Sequence, residues 1–121
     1  MTGRDDCPFC AIIYDGAPAA RRRGWLDAIA ITPLSPVVPG HVIVIPLKHV
    51  ESAAASPETA AAAMLRAAQW AQDRGQDCNL ITSVGPAATQ SVRHLHIHVV
   101  PRTDGDGLLL PWSAQQEAGA R

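Results

Sequence analysis

The sequence predicts an α+β domain: a mostly antiparallel sheet with one long helix and a short N-terminal helix. Three observations predict it. Runs rich in β-branched residues recur at 41–46 and within 78–101. One window, 57–74, carries both a start and a stop signal for a helix. Short Gly/Pro segments separate the runs, so neighbouring strands reverse direction.

The elements follow in order. Residues 7–15 open with Cys7-Pro8-Phe9-Cys10, continue as Ala11-Ile12-Ile13-Tyr14 and stop at Asp15-Gly16, a short helix closed by a glycine. Residues 20–31 read as a hairpin: Arg21 to Leu26, a turn near Asp27, then Ala28-Ile29-Ala30-Ile31. Pro33, Pro36, Pro39 and Gly40 make 32–40 a rigid, non-helical connection. Residues 41–46 (HVIVIP) form a β-branched central strand. Ser56 is a suitable N-cap for the long helix, Pro57 suits its first position and Glu58 favours its positive end. Ala61, Met64, Leu65, Ala68 and Ala71 form one apolar stripe, and Gly75 stops the helix. Residues 78–84 and 91–101 are two further strands, turned by Gly85-Pro86-Ala87-Ala88. The tail 103–121, Gly-rich and then polar, is expected to be partly mobile within a single domain spanning 1–121.

Bulk properties narrow the function. With 121 residues the chain supports one domain and one core. Aromatics are 4% against 47% hydrophobic residues, so Ala, Val, Ile and Leu must fill that core. A formal net charge of −1 argues against a basic nucleic-acid-binding surface. The run Arg21-Arg22-Arg23 reads as a solvated strand edge, with phosphate steering as the alternative. No window approaches 18 consecutive apolar residues, so no membrane span is expected. The polar start and the odd count of three cysteines speak against a signal peptide and a disulfide framework, so a cytoplasmic location is expected.

Three of the five histidines lie in His94-Leu95-His96-Ile97-His98. Side chains two apart on a strand share a face, so this pattern has an apolar face and a chemical face. Same-face imidazoles can chelate a metal, act as nucleophile and proton carriers, or simply be solvated. Clustering favours chemistry, and His41 at the start of a neighbouring strand can add a fourth ring. Cys7-x-x-Cys10 is a redox pair or half of a zinc site. No βαβ context supports the redox reading, and zinc is favoured with His49 and one strand histidine completing the site.

Gln90-Ser91-Val92-Arg93-His94-Leu95-His96-Ile97-His98-Val99-Val100-Pro101-Arg102 resembles the signature of the histidine-triad (HIT) family. Phe9-Cys10-Ala11-Ile12-Ile13 resembles that family's N-terminal helix. Pro39-Gly40-His41-Val42-Ile43-Val44-Ile45-Pro46-Leu47-Lys48-His49 resembles its Pro-Gly-His strand. The resemblance implies hydrolysis or transfer at the α-phosphate of a nucleoside phosphate derivative. By that match His96 is the nucleophile, forming a nucleotidyl-histidine that water cleaves to release a nucleoside monophosphate. His98 would contact the phosphate or leaving group. Ser91 and Gln90 would contact phosphate oxygens or the leaving group, with His41 beside them. Zinc-bearing relatives imply a structural zinc on Cys7, Cys10, His49 and His94. Phe9, Ile12, Ile31 and Leu34 would line a base pocket, and Ser83 would stand near the scissile phosphate where many members carry Asn. No organic cofactor is implied, and a homodimer is. Two departures stand out: Pro33 replaces an acidic residue that binds ribose hydroxyls in many members, and Thr89 stands where relatives often have Gly. Two other readings remain open: a zinc-dependent hydrolase with the triad as ligands, and a nucleotide-binding regulatory module of weak activity.

Overall fold

The computed structural model describes residues 4–113. Helix α1 covers Pro8–Tyr14, with Cys7 as N-cap accepting from the Cys10 amide at 3.3 Å. Strands β1 (Ala20–Gly24) and β2 (Ala28–Thr32) form the first hairpin, followed by β3 (Val42–Pro46). Helix α2 runs over Pro57–Arg74, and β4 (Cys78–Ile81) and β5 (Ile97–Pro101) follow. The strands make one antiparallel sheet in the order β1-β2-β3-β5-β4. Thus the expected α+β architecture is present, and β5 lies between β3 and the edge strand β4.

Alternation along the inner strands gives the sheet two apolar faces. On one face Ala28, Ala30, Val42, Val44, Ile97 and Val99 meet Ala63, Ala67 and Trp70 of α2. On the other, Ile29, Ile31, Ile43 and Ile45 meet Cys7, Phe9 and Cys10. Fully burying each such isoleucine contributes about 1.5–3 kcal/mol. A seven-residue helix is unstable alone, so α1 is held in place by this contact.

The helix ends match expectation: Ser56 Oγ accepts from the Thr59 amide at 3.3 Å, and Gly75 closes the helix at φ +65°. Its buried face does not. Ala63, Ala67 and Trp70 face the sheet, whereas Met64 and Leu65 are 36% and 54% exposed and Ala61 and Ala68 lie outside. A helix so rich in alanine offers little contrast between faces, and the large Trp70 ring decides its rotation. Leu26, expected in a strand, sits in the β1–β2 turn at 95% exposure.

The strand expected over 91–101 pairs only from Ile97 onward. Before that point other bonds replace the ladder. Leu95 donates its amide to Val50 at 2.8 Å, Thr82 Oγ1 donates to the His96 carbonyl at 2.8 Å, and Gln90 Nε2 donates to the Val92 carbonyl at 3.0 Å. The segment just upstream passes Thr89 at φ +69°, a left-handed conformation that a β-branched residue adopts with strain.

The start of the tail is bonded back to β4 and to itself. Arg102 grips Asp106 through two contacts of 2.8 and 3.0 Å and reaches Asn79 of β4 at 2.7 Å. Asp106 also accepts from the amides of Thr103 and Leu108. Residues 114–121, which make up the rest of the tail expected to be partly mobile, lie outside the described residues.

The rotation of α2 is testable. Ala67→Leu overfills a site with no exposure and should cost about 1–3 kcal/mol in denaturant unfolding. Ala68→Leu on the outer face should stay within about 0.5 kcal/mol.

Candidate active site

Two groups of side chains meet on the α1 face of the sheet. The first gathers Cys7 and Cys10 from α1 and its cap, His49 after β3, and His94. Their donor atoms all lie within 4.8 Å of one another. His94 is fully buried, and its Nε2 lies 2.8 Å from the Pro46 carbonyl. A carbonyl can only accept, so that nitrogen carries the proton and Nδ1 is bare. The bare Nδ1 faces His49 Nδ1 at 3.1 Å, Cys7 Sγ at 3.4 Å and Cys10 Sγ at 3.6 Å. Cys10 Sγ is 3.3 Å from His49 Nδ1.

These spacings fit a tetrahedral metal. Bonds typical of zinc to nitrogen and sulfur imply edges of about 3.3 Å between nitrogens and about 3.6 Å between nitrogen and sulfur. Two thiols and two imidazole nitrogens, four of whose pairs stand at 3.1 to 3.6 Å and all of which lie within 4.8 Å, are a four-donor set able to close on such an ion. Burial, helped by the neighbouring imidazoles His49 and His96, pushes His94 down to about 4. The ring is therefore neutral at pH 7, as a metal ligand must be.

The second group is His96, His98 and His41. His96 Nδ1 lies 2.8 Å from the His94 carbonyl, so by the same logic it donates and leaves Nε2 with a free lone pair. His41 is set oppositely: the Val37 amide donates to its Nδ1 at 3.1 Å. Its Nε2 therefore carries the proton and donates to His98 Nδ1 at 3.0 Å. His98 is left with its proton on Nε2. One neutral imidazole thus offers a lone pair and its neighbour, 5.1 Å away between ring centres, offers a donor. Burial lowers His96 and His41; burial, then the nearby His96 and His41 rings, takes His98 down to about 4.

Both rings open onto a cleft of about 820 Å³, lined mainly by apolar groups. Phe9, Ile12, Ile31, Leu34 and Ser91, all named in the sequence analysis, line it. The Phe9 ring meets His96 edge-on at 5.0 Å. Pro33 also lines it, with Thr32 and Ser35 as polar neighbours that sequence reasoning did not single out. Their hydroxyls gave no pattern to read, since they enter the cleft through the proline-rich connection.

Three further residues named from the sequence do not line the cleft. His41 is buried and reaches the cleft only through His98. Gln90 is 6% exposed and spends its amide on the chain: Oε1 accepts from the Gly85 amide at 2.9 Å, and Nε2 donates to the carbonyls of Glu51 and Val92. It clamps the loop that carries Ser91. Ser83 does not line the cleft. Val37 and Thr82 were missed, because a backbone amide and a hydroxyl to a carbonyl leave no sequence signature.

A bare imidazole nitrogen beside a neutral donor at an apolar cleft is chemically able to act as a nucleophile. Comparison with known proteins makes the class specific. A model of the HIT domain matches residues 27–105. An uncharacterized HIT-like protein of Mycobacterium tuberculosis is 34% identical over 95% of this chain and 88% of its own length. An adenylylsulfatase of Arabidopsis thaliana is 31% identical over 94% of this chain and 59% of its own length. Among solved structures, a zinc-bound histidine-triad family protein from Mycobacterium smegmatis is 37% identical, with a TM-score of 0.76 over 89% of this chain and 83% of that one. The chain belongs to the HIT family.

The shifted histidines predict how stability depends on pH. His98 titrates at about 4 when folded against 6.5 when unfolded. Between those values the unfolded chain binds protons that the fold refuses, so stability falls as pH drops through this window. Thermal unfolding should show that slope between pH 6.5 and 4, and His98→Gln should make it shallower. An unchanged slope in the variant would assign it to other groups.

Proposed function

We propose that this protein hydrolyses or transfers at the α-phosphate of a nucleoside phosphate derivative, through a covalent nucleotidyl-histidine on His96. One observation supports this above the others: the His94 carbonyl holds the proton of His96 on Nδ1, which leaves Nε2 bare at the cleft. In the first step Nε2 bonds to phosphorus as the bond to the leaving group breaks. His98, through its Nε2 proton, and Ser91 stabilise the charged oxygens and the departing atom. Water then attacks phosphorus, the P–N bond breaks and a nucleoside monophosphate leaves. Phe9, Ile12, Ile31 and Leu34 offer an apolar slot suited to a planar base. His41 positions His98, and Gln90 positions Ser91. The Arabidopsis thaliana relative is by name an adenylylsulfatase, and adenylyl sulfate falls within the substrate class this reading allows.

We assign Cys7, Cys10, His49 and His94 to a structural zinc. Of the triad, His94 alone joins that cluster, which disfavours a catalytic metal on all three histidines. A zinc ion there would hold α1 and the His94 backbone together; the steps at phosphorus belong to the protein's own side chains. With Cys7 and Cys10 given to the metal, Cys78 is the one cysteine left and no pair remains for a disulfide, which favours a cytoplasmic setting.

A homodimer is the assembly we favour. Strand β4 lies at the sheet edge, and Ile81 on it and Met64 and Leu65 on α2 are exposed. Sedimentation should give twice the chain mass, and Leu65→Glu should shift it toward the monomer; a monomeric wild type rejects this assembly.

His96→Gly should abolish turnover of an adenosine phosphoramidate while leaving the fold intact, and wild-type protein quenched mid-reaction should gain the mass of one nucleotidyl group. Turnover near the wild-type rate in the variant removes His96 as nucleophile. Cys7→Ala should lose zinc and unfold more easily, with a smaller loss in rate per folded molecule; unaltered zinc content refutes the ligand set.

A further inference from the structure

The three arginines of β1 have three fates. Arg21 donates to the Ile12 carbonyl at 2.6 Å, and Arg23 pairs with Asp73 at 3.0 Å while lying over Trp25. Arg22 makes neither an ion pair nor a hydrogen bond among the described residues. It borders a cavity of about 240 Å³ at the C-terminal end of α2. Arg74 borders the same cavity, its guanidinium 3.8 Å from the centre of the Trp70 ring and without a carboxylate partner among the described residues. Gln76 and Thr32 add polar atoms to the lining, and Val42, Trp70 and Val99 close it from the core side.

The charge of this cavity is unbalanced. Among the described residues neither Asp nor Glu lines it. Asp73, next to Arg74 in sequence, is engaged by Arg23. The end of α2 contributes a partial negative charge of about one half, far short of two guanidinium charges. Stacking on Trp70 orders Arg74, which lowers the entropy cost of using it. The cavity opens on the α2 face of the sheet and the histidine cleft on the α1 face; of their linings the two share Thr32, at the end of β2, and no other residue.

We propose that this cavity is a binding site for a small divalent oxyanion, gripped by Arg22 and Arg74. The anion is free phosphate or the terminal phosphate of a small metabolite. Planar guanidinium forks match tetrahedral oxyanions, and the cavity is large enough for phosphate with a modest substituent. This site stands apart from the chemistry proposed for His96.

Arginine labelling by phenylglyoxal, mapped residue by residue by mass spectrometry, tests it. Inorganic phosphate is titrated against chloride at constant ionic strength. Labelling of Arg22 and Arg74 should slow together with one midpoint, roughly tenfold when phosphate exceeds its dissociation constant tenfold. Arg66, paired with Asp27, should be unaffected. In Arg22→Gln, Arg74 should lose its protection. Adenosine monophosphate protecting at lower concentration than phosphate identifies a metabolite's terminal phosphate; protection by phosphate alone identifies the free anion. Absence of protection, equal slowing at Arg66, or continued protection of Arg74 in Arg22→Gln overturns the proposal.

Discussion

Everything at the cleft depends on how His94 is held. Its Nε2–H goes to the Pro46 carbonyl, its Nδ1 faces two thiols and a second imidazole, and its own carbonyl accepts from His96. A fully buried ring with these bonds has no freedom to rotate, so the carbonyl next to it is equally constrained. That carbonyl sets the tautomer of His96. A structural residue and a chemical residue two positions apart are thereby joined through one peptide group.

Tautomers, more than charges, are what this site arranges. Burial keeps the rings neutral, so each has one donor and one acceptor nitrogen, and a single fixed partner decides which is which. The Val37 amide makes that decision for His41, and His41 passes it to His98. The His94 carbonyl makes the opposite decision for His96. Two neighbouring imidazoles of the same type acquire complementary roles from backbone groups that differ only in polarity.

The sheet separates two tasks. Its α1 face carries the donor cluster and the histidine cleft, while its α2 face carries the larger packed core. β5 serves both: Ile97 and Val99 fill the α2 side, and His98 points to the other. A one-residue slip of β5 would exchange the two sets. Burial of Ile97 and Val99 beside Val42 and Val44 therefore also fixes the registration of the chemistry.

Strong periodicity and caps were legible from the chain alone. The alternation through His98, the proline-glycine punctuation and the Ser56–Gly75 helix limits follow from backbone sterics and local hydrogen bonding, which need no neighbours. That Cys7 and Cys10 belong with His49 and one histidine of the strand was legible in the residue types; that the histidine is His94, and that Phe9, Ile12, Ile31 and Leu34 border a cleft, came through the resemblance to the HIT family. The rotation of α2 was not, because an alanine-rich helix has no distinct apolar face until Trp70 meets the sheet. Nor was the end of pairing at Ile97, the use of Gln90 as a loop clamp, or the assignment of protons among His41, His96 and His98. Each of these turns on which carbonyl, amide or side chain from a distant segment comes within hydrogen-bonding reach, and that proximity exists only once the chain has folded.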